Sequence, residues 1–274
     1  MHTEVHFISV GCGNMTLILF PDGVTWLYDC NITNEEEDNI LSYLRRAMNG
    51  RKHLDLFICS HRDADHMRGI ETLHDAFPIA LIADSDVPGT TTDSPEYLEY
   101  MKLRREIGSK VIKSRTIQEV GGAVARWMNA ADQDFSDAND QSIVLKIEYK
   151  NNSVLLPGDT SFRPWKDKIL PFYSDDKISS DILLASHHGS LSFFNDPADE
   201  KNYFTDHIRK IKPAMTILSV GPNVHDLPDT KAISLYEKYS TGSNKGNKLR
   251  RTDELGNIKL ELKEDDGWLI SINQ

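Results

Sequence analysis

Seven residues, Ser60-His61-Arg62-Asp63-Ala64-Asp65-His66, constrain this chain more than any others. Two imidazoles and two carboxylates fall between His61 and His66. The segment follows an apolar run, Leu54-Asp55-Leu56-Phe57-Ile58-Cys59, and precedes a helix-like stretch from His66 to about Ala76. A strand would therefore deliver all four side chains at its carboxyl end, into a loop, where ligating and catalytic groups sit on rigid scaffolds. Packed together without a cation, such groups repel one another or sit protonated. A pair of divalent metals removes that conflict. Taken singly, Asp63 or Asp65 could cap the following helix, and His66 could be a satisfied loop histidine. The joint pattern H-x-D-x-D-H at a strand-to-helix junction favours metal.

Two further segments repeat the strand-then-ligand arrangement. Val154-Leu155-Leu156-Pro157-Gly158-Asp159 is an apolar strand ending in Gly-Asp, and a carboxylate there can bridge two cations. Alone it reads equally as a turn aspartate. Leu183-Leu184-Ala185-Ser186-His187-His188-Gly189-Ser190 is a buried strand ending in adjacent histidines. One of them can ligate metal while the other meets substrate or acts as a general acid. Asn139-Asp140-Gln141-Ser142 could add an oxygen ligand or could be a turn closed by a side-chain bond to the backbone.

Around these segments the chain alternates short strands with turns. Strands are expected at Val5 to Val10, Met15 to Phe20 and Val24 to Tyr28, with Pro21-Asp22-Gly23 as the turn between the last two. Helix follows from about Asn34 to Met48, with Glu35-Glu36-Glu37-Asp38 as its acidic, exposed first turn. A strand at Ile79 to Ala83 and a helix at Pro95 to Ile107 come next, while much of 84–138 is polar and unreadable. Ser142 to Tyr149 and Ser153 to Leu156 form a hairpin. Strands at Asp181 to Ala185, Met215 to Val220 and Trp268 to Ile272 follow, with a helix at Thr230 to Tyr239. Strands outnumber helices, and hairpins mix with strand–helix units. The expectation is an α/β fold, a four-layer αββα sandwich, as a single domain over 1–274. The loop Gly242 to Asn247 falls within it.

No apolar run approaches the ~20 residues of a membrane helix. The amino-terminal residues carry no basic, apolar leader pattern, so no signal peptide is expected. Cys12, Cys30 and Cys59 show no CxxC spacing and read as buried, reduced thiols of a cytoplasmic protein. A formal net charge of −11 argues against binding nucleic acid through the whole surface, though not through a local basic groove. Candidates for a basic wall are Arg62, Arg68, Lys248, Arg250 and Arg251.

Together these pieces resemble a metallo-β-lactamase-fold hydrolase, in the branch that includes the metallo-hydrolase domain of the competence DNA-uptake channel. The matching stretches are Val10 to Asn14, Leu27-Tyr28-Asp29, Ser60 to His66, Asn139 to Ser142, Leu156 to Asp159, His187 to Ser190, Leu218 to Asn223 and Arg251-Thr252-Asp253. Asp63 stands where most of the superfamily has histidine and the competence-type branch has aspartate. The resemblance implies that His61 and Asp63 serve one metal and that Asp65 and His66 serve the other, with Asp159 bridging. It puts His187 among the ligands with His188 near it, and makes Asp140 a weaker candidate. Asp65 and His188 are the residues expected in catalysis. The chain departs from the branch at Gly11-Cys12-Gly13-Asn14, where Gly-Gln-Gly-Asp is usual. It departs again at Asn223 to Pro228, where His225 stands closer to Asn223 than expected.

The expected function is a dinuclear-metal hydrolase with Zn²⁺ or Mn²⁺. It would act as a phosphodiesterase or nuclease on nucleic acid or a nucleotide through a metal-bridging hydroxide. A lactam, ester or thioester hydrolase on the same fold is the first rival. A non-catalytic regulatory subunit is the second, and the intact ligand inventory speaks against it.

Overall fold

The computed structural model of the chain describes residues 2–129, 135–196, 202–242, 247–265 and 267–273. Two sheets face each other. One runs, edge to edge, Trp268–Asn273, Asn257–Lys263, His2–Phe7, Thr16–Leu19, Thr25–Tyr28, Leu56–Ile58, Ile82–Asp84 and Ser109–Val111. The other runs Leu249–Arg251, Met215–Leu218, Ile182–Leu184, Asn152–Leu156, Val144–Tyr149, Ala123–Asn129 and Thr116–Val120. Each sheet is antiparallel on one side and parallel on the other. In the first, the strands from Thr25–Tyr28 through Ser109–Val111 are parallel. In the second, those from Asn152–Leu156 through Leu249–Arg251 are parallel.

Alternation along the strands builds the layers, because successive side chains leave opposite faces. Ile18, Trp26, Tyr28 and Ile58 meet Trp127, Leu145, Leu156 and Leu184 between the sheets. Leu17, Leu27, Phe57 and Ile82 turn the other way, onto Leu41, Leu44, Leu73 and Tyr100 of the helices Glu37–Met48, Ile70–Ala76 and Pro95–Ile107. Leu155, Leu183 and Leu218 pack outward against Trp165, Ile208, Ala232 and Tyr236. Three apolar layers between four structural ones make the αββα sandwich. Parallel strands buried on both faces read as unbroken apolar runs, which is why Phe57 and Leu155 stand beside apolar neighbours. The fold brings the loops after Ile58, Leu156 and Leu184 together, at the carboxyl ends of parallel strands, where open α/β sheets place ligands.

Several boundaries differ from expectation for local reasons. The stretch from His66 to Ala76 is two helices, Ala64–Met67 and Ile70–Ala76. Between them Arg68 is extended and Gly69 has φ 73°. Cys30 and Asn31 bridge to Met67 and Arg68 there, and a Cβ on Gly69 would lie 2.7 Å from the Ile32 carbonyl oxygen. The first strand is His2–Phe7, paired along its length with Asn257–Lys263. Strands at Ser109–Val111, Thr116–Val120 and Ala123–Asn129 occupy much of the unread region. In the last, the buried Arg126 interrupts the apolar pattern and pairs with Glu148 at 2.9 Å. Helical residues over 162–172 and the helix Asp206–Ile211 also went unread. In the expected loop Gly242 to Asn247, residues 243–246 lie outside those described. Cys30 and Cys59 are buried, but Cys12 is only half-buried, contrary to expectation. Among the described residues no helix is long and apolar enough to cross a membrane.

Candidate metal centre

The first half of the site hangs on Asp29, which follows the strand Thr25–Tyr28 with φ 62°. Its fully buried carboxylate accepts from the Ser60 amide at 2.7 Å and from Ser60 Oγ at 2.9 Å. It also accepts from His66 Nδ1 at 2.8 Å. That bond fixes the His66 tautomer: with Nδ1 protonated, Nε2 presents a lone pair. His66 Nε2 lies 3.2 Å from Asp159 Oδ2. His188 is set up the same way, with Nδ1 donating to the Ser219 carbonyl at 3.0 Å. Its Nε2 lies 3.1 Å from Asp65 Oδ2 and 3.6 Å from Asp159 Oδ2. Two imidazole lone pairs facing carboxylate oxygens require something positive between them.

Ligand atoms of Asp65, His66, Asp159 and His188 all lie within 4.8 Å of one another. Beside this group stand His61, whose Nε2 is 3.7 Å from Asp63 Oδ2, and His187, whose Nε2 is 3.7 Å from Asp159 Oδ2. The His61 and His66 rings are 4.1 Å apart. His61 Nε2, His66 Nε2 and Asp159 Oδ1 are buried with no hydrogen-bond partner among the described residues. Buried polar atoms are rarely left so. These donors, of the types that hold divalent ions, fit the group that the sequence implies.

Without a cation, protons take its place. Burial opposes the charged form of His66, yet Asp159, Asp29 and Asp65 overcome it and push the imidazole well above its ordinary range. His188 moves up in the same way, burial being outweighed by Asp159 and Asp65. His61 moves down, through burial and the charge on His66. Asp65 and Asp159 fall well below the carboxylate range, because His66 and the neighbouring imidazoles outweigh their burial.

The two halves are held differently. Asp63 accepts from the Thr90 amide at 2.7 Å and from Thr90 Oγ1 at 2.9 Å. Between His61 and Asp63, Arg62 is buried and bonds Asp84 at 2.9 Å and Asp86 at 3.1 Å. Asp84 also accepts from Arg104 Nε at 2.7 Å and from the Tyr100 hydroxyl at 2.7 Å. On the other side the backbone does the work. His187 and His188 have φ 48° and 52°, a conformation that non-glycine residues adopt at a cost of roughly 1–3 kcal/mol each. Ser186 Oγ donates to the Gly158 carbonyl at 3.0 Å and to the Thr160 carbonyl at 2.7 Å, tying the histidine loop to the Asp159 loop. Gly158 has φ 58°, and a Cβ there would lie 2.8 Å from the Ser142 Cβ. The Asp159 amide donates to Ser142 Oγ at 3.2 Å.

Other expected residues lie elsewhere or are already engaged. Asp140 is buried, and its carboxylate accepts from the Ser161 amide at 3.0 Å. His225 is exposed on a loop that Asn223 staples through both its amide atoms. As members of a basic wall, Arg62 is taken by Asp84, Arg68 bonds Asn31 at 2.8 Å, and Arg251 pairs with Asp253 at 2.7 Å. Lys248 and Arg250 are half-buried. Sequence reading quoted Asp29 and Ser60 without giving them a role and passed over Thr90. A carboxylate directly after a buried strand was a signal for the first, but nothing local announced Thr90.

A sequence profile of the metallo-β-lactamase superfamily matches residues 9–200. The chain is 23% identical over 283 residues to ComE operon protein 3 of Bacillus subtilis (strain 168), covering 96% of this chain and 34% of that protein. It thus spans about a third of the length of that curated relative. Among solved structures, the metallo-β-lactamase fold protein YhfI from Bacillus subtilis aligns with a TM-score of 0.55 at 14% identity. That alignment covers 95% of this chain and 100% of YhfI. CmlA, a diiron β-hydroxylase from Streptomyces venezuelae, aligns with a TM-score of 0.57 at 13% identity, over 95% of this chain and 54% of CmlA. Profile, fold and ligand loops agree, and the chain belongs to the metallo-β-lactamase superfamily, whose members are mostly metal-dependent hydrolases.

Proposed function

We propose that the chain is a single dinuclear-metal hydrolase domain that cleaves phosphodiesters in nucleic acid or nucleotides. The observation that carries this reading is the donor set. Three carboxylates, Asp63, Asp65 and Asp159, stand among four histidines, and the inward Nε2 atoms of His61 and His66 lack hydrogen-bond partners. An oxygen-rich set of this kind suits Mn²⁺ as well as Zn²⁺, ions that also accept phosphoryl oxygens. The competence-type aspartate at Asp63 supports the same reading.

Asp65, His66, Asp159 and His188 would hold one ion, and His61 and Asp63 the other, with Asp159 shared. The resemblance put His187 in the ligand set with His188 near it, and His188 was expected in catalysis. Burial favours the exchange: His188 is 1% exposed at its side chain and His187 29%. Two bound ions would supply Lewis acidity and an activated water. With the ions bound, the more exposed His187 would be placed to give a proton to the leaving oxygen, and the partly exposed Asp65 carboxylate would be placed to take one from water. Asp29, Ser60 and Ser219 keep the imidazoles in one tautomer and one orientation.

The test is turnover of bis-p-nitrophenyl phosphate against nitrocefin with Mn²⁺ or Zn²⁺ added, followed by a screen of single-stranded DNA, duplex DNA, RNA and cyclic nucleotides. Phosphodiester cleavage that stops on chelation is expected. Hydrolysis of nitrocefin with none of any phosphodiester would overturn the reading.

A further inference from the structure

Asp63 stands at the N-cap of the helix Ala64–Met67 with extended backbone, φ −95° and ψ 155°, yet its side chain makes no capping bond there. The capping alternative therefore fails, and the carboxylate turns to a different loop. Thr90 meets it with two donors, the amide at 2.7 Å from Oδ1 and the hydroxyl at 2.9 Å from Oδ2. Thr90 is exposed and lies outside any helix or strand, so core packing does not hold it there. Close approach of the backbone does. A Cβ on Gly89 would overlap the Arg62 carbonyl oxygen and lie 2.9 Å from Asp63 Oδ1, so only glycine lets this loop lie against the ligand segment.

The oxygen that takes the Thr90 hydroxyl also faces His61. Ser60 Oγ gives its hydrogen to Asp29 at 2.9 Å, so its 3.1 Å contact with His61 Nδ1 is donated by the imidazole. His61 Nε2 then carries the lone pair, buried and without a hydrogen-bond partner among the described residues, 3.7 Å from Asp63 Oδ2. That separation is shorter than twice a metal–ligand bond of about 2.1 Å, so both atoms can touch one ion. A carboxylate oxygen has lone pairs for the Thr90 hydroxyl and a cation together. Thr90 holds both oxygens, so the carboxylate cannot turn without breaking a bond. We propose that Thr90 is a positioning residue for the ion of the His61–Asp63 half, holding Asp63 Oδ2 toward His61 Nε2. This rests on the dinuclear reading above. It also gives this chain a reason for aspartate at the position, since an imidazole could accept at most one of the two bonds.

Titration of the metal-free protein with Mn²⁺ by calorimetry tests the assignment, and the wild type should bind two ions. Thr90→Val keeps the shape and the backbone amide and removes the hydroxyl. It should weaken one ion about tenfold, the scale of a lost outer-sphere partner, and leave the other within about twofold. Thr90→Ser keeps the hydroxyl and should bind both ions as the wild type does. Gly89→Ala pushes the loop off Asp63 and should weaken one ion by about tenfold or more. Wild-type affinity in Thr90→Val or in Gly89→Ala overturns the assignment alone. So does equal weakening of both ions, or a Thr90→Ser variant as weak as Thr90→Val. A wild type that binds fewer than two ions overturns the dinuclear reading, and the assignment with it.

Discussion

The two halves of the candidate metal centre contain the same kinds of donor but are built on different physics. The half contributed by the first sheet is one contiguous segment, His61 to His66, pinned by side-chain charge. Arg62 anchors it to Asp84, and Arg104 and Tyr100 close the same network. The half contributed by the second sheet is split between Asp159 and His187-His188. It is pinned by backbone: positive φ at Gly158, His187 and His188, and serine hydroxyls that bond carbonyls and amides. A charge-braced loop fails when a charge is removed. A backbone-braced loop tolerates changes of charge and fails when its glycines or hydroxyls change. The contrast places the brace made of buried side-chain charges on the first sheet.

Breaking the brace should produce the largest effect. Asp84→Asn leaves Arg62 and Arg104 without their buried partner, and removing one side of a buried pair costs about 3–5 kcal/mol. Chemical denaturation of the metal-free variant checks this. The pH dependence sharpens it. Arg104, Arg62 and Tyr100 hold the Asp84 carboxyl below its ordinary value despite burial. A carboxyl depressed on folding stabilises above the unfolded pKa of about 4, and the stability is lost as pH falls through the folded value. The gap between wild type and Asp84→Asn should therefore close on acidification below about pH 4. A constant gap would mean that Asp84 acts by shape and not by charge.

On the other half, the same charge-removing change should cost less stability and more activity. Asp159→Asn keeps the size of the side chain and removes one strong oxygen donor, so activity should fall by at least about 100-fold. The melting temperature of the metal-free protein should fall by less than in Asp84→Asn, where two arginines lose their shared partner. A turn-capping aspartate would do the reverse, losing about 1 kcal/mol of stability with activity kept. Calorimetry and turnover on one variant separate the two outcomes. A smaller effect is expected at Asp29, which touches ligands and not ions. Asp29→Asn should weaken metal binding about tenfold, the scale of outer-sphere partners of metal-bound histidine. Titration with Mn²⁺ or Zn²⁺ measures it, and wild-type affinity would remove Asp29 from the site.

The same contrast explains what the sequence revealed. His61, Asp63, Asp65 and His66 are adjacent in the chain, so their convergence needs only one loop. Asp159 and the two histidines were recognisable because each ends an apolar strand. Asp29 also ends a strand, but the role of its carboxylate was not legible, since it exists only once Thr25–Tyr28 lies parallel to Leu56–Ile58 and sets Asp29 against the Ser60 amide. Asp140 could be read as an oxygen ligand or as a turn residue, and its carboxylate accepts from the Ser161 amide. The strand Asn257–Lys263 alternates buried and half-buried residues along its whole length, a signal present in the sequence and passed over. The break at Gly69 depends on Ile32, which no local pattern reports.

The most direct test of the account is the number of ions the centre holds. Protein purified without chelator and analysed for Mn, Fe, Zn and Ni should carry about two divalent ions per chain, as expected for a two-metal site. One ion or none, after growth in metal-replete medium, would contradict it.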